Sequence, residues 1–493
     1  MRAYHWTSAL DLAQASGSAD ADLTDRARFA LRDAGDRAYA LDNYAVAASL
    51  YEDALDLWPA DEGRPQLVFA RARALFIAGD DGSVKELESA RDALVAAGRR
   101  EDAAEAEAFL AQLFWFRGQQ AEVFPHLQAA EALVEGAPPS PAVARVLAWS
   151  ARYESLAKPQ EELSLRRAEN ALAMAESLGL DDLRVHALTT VGSAKEQLGD
   201  TTGRRDLELA VELGRAANSP MVVGALNNLT VFIDTTDMRL VDELNLQAQE
   251  EAERYGDATL LRFLRGNAIA HLWVLGKWDE AVSIADDLVA QCERGSPYVL
   301  EGPTRLFRGC IAVARGKGEA ALPDFRRALA LARDPASGDP DMLHQALVRY
   351  AWADLRLGHV AEARATFSKA LPHLEGHGLP KFWLLAEVAF ELGETTVVRN
   401  ALRRIPPDAG RRGMLAVLDG DFATAAEQYA ASNLLLFEAE ARVRLAEQLV
   451  SEGRRTEGEN QLANALAFYR PIGATLFIER GEALLAEAQS ASA

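Results

Sequence analysis

The sequence predicts an all-α fold, a right-handed superhelical solenoid of about twelve helical hairpins. Three observations predict it. The segment Gly35–Pro59, GDRAYALDNYAVAASLYEDALDLWP, reads as two helices around a turn, and its pattern recurs in looser form to the C-terminus. Its Gly, Ala and aromatic landmarks return at a spacing of roughly 34 residues. No stretch alternates like a strand between hairpin turns. Such a hairpin cannot bury its apolar face alone, so it must stack on its neighbours.

Residues 1–21 are expected to form a capping helix, because MRAYHWTSALDLAQ is amphipathic and lacks the unbroken apolar run of a signal peptide. Gly35 then lets one helix approach its partner, Ala47, Tyr51 and Ala54 form the apolar stripe of the second helix, and Pro59 ends it. Further clear copies follow. Gly276, Trp278 and Ala281 mark one, and Gly309, Gly316, Ala321, Phe325 and Ala328 the next. Gly358, Ala363, Phe367 and Ala370 mark a third, with Gly420, Phe422, Ala425 and Tyr429 closing the series. Most of these glycines stand where a helix ends in a left-handed turn residue. Two units are degenerate, with AGDDGS near residue 80 and AKPQEE near residue 160 in place of the usual turn. Pro-rich joints at 136–141, 333–340 and 404–410 read as loops between hairpins. The repeats are expected to span 22–472, with a capping helix and a frayed AQSASA tail over 473–493.

The repeat pattern resembles the tetratricopeptide repeat (TPR). That resemblance implies a protein that holds a partner on a concave face lined by the first helix of each pair.

Composition narrows the classes of partner. A net charge of −22 argues against a nucleic-acid surface or an anionic membrane. Hydrophobic residues at 49% and charged ones at 26% are those of a soluble chain with ample core material. No apolar run approaches the roughly 20 residues that span a bilayer. Cys292 and Cys310 read as reduced thiols, and the expectation is a cytoplasmic protein.

Catalytic signatures are missing. The chain has no G-x-x-x-x-G-K-[ST] loop, no G-x-S-x-G elbow and no H-E-x-x-H. His373 and His377 are four apart around Glu375, yet Gly376 and Gly378 break the helix a zinc pair needs. No cofactor and no metal are expected, and the protein is read as no enzyme.

Stepping four, three and four residues along the first helix of each hairpin keeps to one face. This selects His186, Thr190, Ser193 and Gln197 in the fifth hairpin, then Asn227 and Asn228 in the sixth. It selects Asn267 and His271 in the seventh, and Gln345, Arg349, Trp352 and Arg356 in the ninth. The third hairpin offers Phe109, Leu113 and Phe116 there, which are expected to pack on a neighbour. Amides can grip a peptide backbone and arginines pair with carboxylates, so a protein or peptide partner is expected in the groove. The lysines of the carboxylate-clamp TPR version are not in equivalent places. Cross-linking of adjacent repeats is the competing role for these side chains.

The chain ends carry a second resemblance. AYHWTSALDLAQASG at the start and ANALAFYRPIGATLFIERGEALLAEAQ at the close are similar to the repeat region of bacterial multidomain signalling proteins. Those place a class III nucleotide cyclase and an AAA-type ATPase module before the repeats. Related LuxR-type regulators continue into a DNA-binding helix-turn-helix, which this sequence does not show. Neither the cyclase aspartates nor the ATPase phosphate loop is present, so only a scaffolding or ligand-sensing role carries over. A cyclase or ATPase module, in cis or in trans, is the partner this resemblance implies.

Overall fold

The computed structural model describes residues 2–18, 21–60, 63–80, 83–157, 162–233, 236–336, 340–374, 383–404 and 408–490. His377 and its glycine neighbours lie outside the described residues, as do parts of the degenerate turns, of the joints at 333–340 and 404–410 and of the tail. Among the described residues the regular structure is helical throughout: twenty-six α-helices and one 3-10 turn, Leu371–Leu374. Between Ala21 and Tyr469 the helices follow one another as twelve pairs, with Arg2–Ala15 before them and Thr475–Ser490 after.

The landmark residues explain why neighbouring helices pack so closely. A Cβ on Gly35 would lie 2.6 Å from the Tyr51 ring, and one on Gly413 would lie 2.5 Å from the Tyr429 ring. Both glycines sit inside helices, so each aromatic ring packs directly against bare backbone. Ala47, Ala54, Ala281, Ala321, Ala328, Ala363, Ala370 and Ala425 are all buried, which brings the paired helices together. The turn glycines Gly276, Gly316, Gly358 and Gly420 take φ of +78°, +76°, +82° and +74°, as the sequence predicts. Asp42 and Asn218 occupy the same left-handed region at φ +57° and +52°, a conformation Asp and Asn tolerate better than other side chains.

The chain divides into two compact units. One comprises residues 1–229 and 246–264, the other 230–245 and 265–493. In the first unit the turn before the helix Ala258–Val274 reaches back to the opening hairpins. Thr259 Oγ1 donates to the Phe76 carbonyl at 2.5 Å. Gly256 lies so near the Asp42 carbonyl that a Cβ would come within 2.7 Å of it. The wall of this unit therefore closes through contacts 183 residues apart in sequence.

In the second unit the core is charged as well as apolar. Glu440 faces Arg480 at 2.7 Å and Arg444 at 3.4 Å, while Glu391 faces Arg356 at 2.6 Å and also pairs with Arg444. A second cluster joins Arg305 to Glu301 at 2.9 Å and to Asp324 at 3.1 Å. No helix among the described residues is long and apolar enough to cross a membrane.

Candidate functional site

The first unit encloses a cavity of about 680 Å³. Most of its wall comes from the first helices of successive pairs. Arg64–Ile77 supplies Arg73 and Phe76, and Arg100–Phe116 supplies Glu105, Phe109, Gln112, Trp115 and Phe116. Pro141–Ala157 adds Arg145, Trp149, Arg152 and Tyr153, Asp181–Gln197 adds Asp182, His186, Thr189 and Thr190, and Val222–Ile233 adds Asn227 and Asn228. These positions recur at three- and four-residue steps because that interval returns a side chain to the same face of a helix.

One side of the cavity is aromatic. Phe76 meets Phe109 edge to face with centroids 5.4 Å apart, and Phe116 meets Phe263 likewise at 5.7 Å. Trp149 lies 4.2 Å from the His186 ring and 6.0 Å from Tyr153. Phe109 and Phe116 do pack on neighbouring helices, as expected, and their half-buried remainder faces the cavity.

Polar groups converge between the rings. Arg152 Nη1 donates to Asn228 Oδ1 at 2.9 Å, and Ser193 Oγ, which donates to the Thr189 carbonyl at 2.8 Å, lies 3.3 Å from the same oxygen. Asn228 Nδ2 in turn donates to the Gly224 carbonyl at 2.7 Å, which fixes the amide. Among the described residues no carboxylate pairs with Arg152, and burial lowers its pKa from the usual arginine value. Burial and the nearby Arg152 charge push His186 down to about 3, so it is neutral, and its Nε2 has no hydrogen-bond partner. Arg73 stacks over Tyr39 at 4.4 Å, again with no carboxylate among the described residues. Arg145, by contrast, is paired with Glu105.

An acidic corner completes the lining. Asp42, Asp182 and Asp257 all border the cavity. Burial lifts Asp257 to about 6; its Oδ1 accepts the Leu260 amide at 2.8 Å, and no cation pairs with it among the described residues. Asp42 accepts a hydrogen bond from the Tyr44 hydroxyl at 2.9 Å.

The structure thus brings His186, Thr190, Asn227 and Asn228 together on one wall. Gln197 is off that wall, where its Oε1 accepts from Ser155 Oγ at 3.0 Å. The remaining selected residues belong to the second unit. Asn267 is half-buried on Ala258–Val274. His271 Nδ1 lies 2.9 Å from Asp242 Oδ1, and Lys277 binds the other oxygen at 2.5 Å. Burial acts to raise the Asp242 carboxyl, but these two neighbours outweigh it and hold it below the usual range. Arg349 lies over the Phe307 ring at 4.4 Å with Gln345 at 3.5 Å, and burial pulls it down to about 10.

Trp352 and Arg356 line a small cavity of about 20 Å³ together with Glu387, Glu440 and Tyr469. The carboxylates of Glu387, Glu391 and Glu440 approach within 4.8 Å, the spacing of a metal site. Arg356, Arg444 and Arg480 already supply the counter-charge a cation would bring.

Arg73, Arg145, Trp149 and Arg152 were missed by the sequence reading. The signal was there: the same step run along the fourth hairpin gives Arg145, Trp149, Arg152 and Leu156, all on the cavity.

No family model matches the chain, and no curated protein matches it. Solved structures do. A Rap protein complexed with Competence and Sporulation Factor superposes with a TM-score of 0.50 at 15% identity, over 70% of this chain and 97% of that one. The fold is TPR-like. The APC/C hetero-tetramer Cut9–Hcn1 aligns over 94% of this chain and 96% of that one, with 15% identity and a TM-score of 0.42. The apo quorum sensor NprR from B. thuringiensis aligns over 75% and 99%, with 12% identity and a TM-score of 0.41. At such identities the TPR-like likeness is one of fold. These comparisons do not show the resemblance to cyclase and ATPase signalling proteins.

Proposed function

We propose that the protein is a non-catalytic TPR-like scaffold that binds a peptide, free or as a segment of a partner protein, in the cavity of its first unit. One observation carries this reading. The cavity presents a half-buried guanidinium without a carboxylate among the described residues, beside a fixed amide and aromatic faces. Such a lining is costly to leave empty of an anion or a peptide and stabilising once one is bound. The volume falls within the roughly 300–1,000 Å³ typical of small-ligand pockets, which suits a short peptide rather than a folded domain. The structurally similar Rap protein is complexed with a factor of its own, which supports a ligand-holding role for this kind of fold.

Burial holds His186 neutral and the Asn228 amide is tied at both ends, which suits side chains that hold a ligand in a fixed place. Cys310 is buried and lifted to about 12, consistent with an inert thiol in a cytoplasmic setting.

The test is affinity selection from a soluble library of short peptides, followed by calorimetry on the enriched sequences. Trp149→Ala, checked as folded at the assay temperature because it also packs on His186 and Tyr153, should weaken the best binder by roughly tenfold. Equal recovery by wild type and variant would sink the assignment of this cavity. The second reading, a ligand-sensing arm of an ATPase or cyclase, uses the same cavity and is favoured by the similarity of the chain ends. It requires that the peptide alter the activity of such a module.

A further inference from the structure

We infer that the ligand of the first unit is a zwitterionic short peptide with both ends free, its carboxylate held at Arg152 and its ammonium at the acidic corner containing Asp257. The inference rests on the peptide-binding reading and says which peptides are taken. Arg152 and Asp257 border the same cavity, and each lacks a partner of opposite charge among the described residues. No ion pair or hydrogen bond joins the two among the described residues: Arg152 bonds to Asn228 and Asp257 to the Leu260 amide.

The two charges are held in place. Arg152 is aimed by its hydrogen bond to Asn228, which the Gly224 carbonyl locks in turn. Asp257 is fixed by the Leu260 amide in the first turn of its helix. Asp42 adds negative charge at the same corner, since both it and Asp257 bear on the Tyr44 hydroxyl. A peptide terminus is a compact charge that needs no long side chain to reach such a site. Its carboxylate suits the planar guanidinium fork and its ammonium suits a carboxylate. In the same lining, Trp149, Phe109 and Phe116 provide faces for one apolar or aromatic side chain. A capped or internal segment would leave both charges unmatched.

The experiment compares three versions of one random short-peptide library: free-ended, C-terminally amidated and N-acetylated. Peptides enriched from the free-ended library should lose roughly ten- to a hundredfold in affinity on amidation and a similar factor on acetylation. Arg152→Met should itself weaken binding and make amidation nearly neutral. Asp257→Asn, which keeps the acceptor for the Leu260 amide, should do the same for acetylation. Should either variant fail to fold, the end-capping comparison on wild-type protein decides alone. Undiminished binding of capped peptides that still falls with Trp149→Ala overturns the zwitterion inference and leaves the peptide reading standing. Binding from none of the three libraries overturns both.

Discussion

The two compact units use the same residue types and leave them in opposite states. In the second, Arg356, Arg444 and Arg480 are matched by Glu391, Glu440 and Glu447, around a cavity of only about 20 Å³. In the first, Arg152 and Arg73 border a cavity of about 680 Å³ with no carboxylate among the described residues to meet them. The difference teaches where to look for function in a repeat protein. Charges that satisfy one another hold helices together, whereas charges left over on a wall await something from outside.

If that contrast is real, the second unit should break first. Glu440→Ala leaves Arg356, Arg444 and Arg480 facing Glu391 and Glu447, one negative charge short in the core, and should cost about 3–5 kcal/mol, read as a drop in the denaturant midpoint. A loss below about 1 kcal/mol would mean the network is wetter than its burial implies.

A control comes next, because the helix pairing should be alike in both units. Gly35→Ala and Gly413→Ala each drive a methyl into a buried tyrosine ring and should cost similar amounts, about 1–3 kcal/mol. Unequal losses would show that the scaffolds themselves differ.

A pH titration sharpens the comparison further. Burial first, then the nearby Glu440 charge, lifts the Glu387 carboxyl to about 8, and neither of its oxygens has a partner. Arg444 and Arg356 pull the other way without reversing the shift, and Glu391 adds to it. A folded pKa raised above the ordinary 4.5 gives a contribution present in full below 4.5 and lost as pH rises towards about 8. Stability should therefore fall across that window by up to about 1.4 kcal/mol per pH unit. Glu387→Gln should flatten the slope, and an unchanged slope would remove Glu387 as its source.

The smallest expected effect is the most telling. Arg152→Met should leave stability within about 1 kcal/mol of wild type, since it strands no carboxylate and Asn228 keeps its bond to the Gly224 carbonyl. A large loss of stability would make Arg152 a cross-link, like its counterparts in the second unit.

Much of the fold was legible because repeats write themselves locally. Gly35 against Tyr51 and Gly276 in its left-handed turn are dictated by residues within a hairpin of one another. The helical step also placed His186, Thr190, Asn227 and Asn228 on one face, and they do share a wall. The same step picked Arg349 and Arg356, which lie in the other unit against Phe307 and Glu391. Sequence spacing says which face a side chain occupies. It is silent on whether that face meets a cavity or another helix.

The sequence by itself determined the helical pairs, their turns and the close Gly–aromatic packing, because each depends on steric rules acting over a few tens of residues. Only the tertiary structure decided which charges were used up. Thr259 reaching Phe76 across 183 residues closes the cavity, and Glu391 meeting Arg444 across 53 fills the other core. Pairings at that distance follow from the small rotation between successive hairpins summed over many repeats, and no single hairpin's sequence encodes the sum.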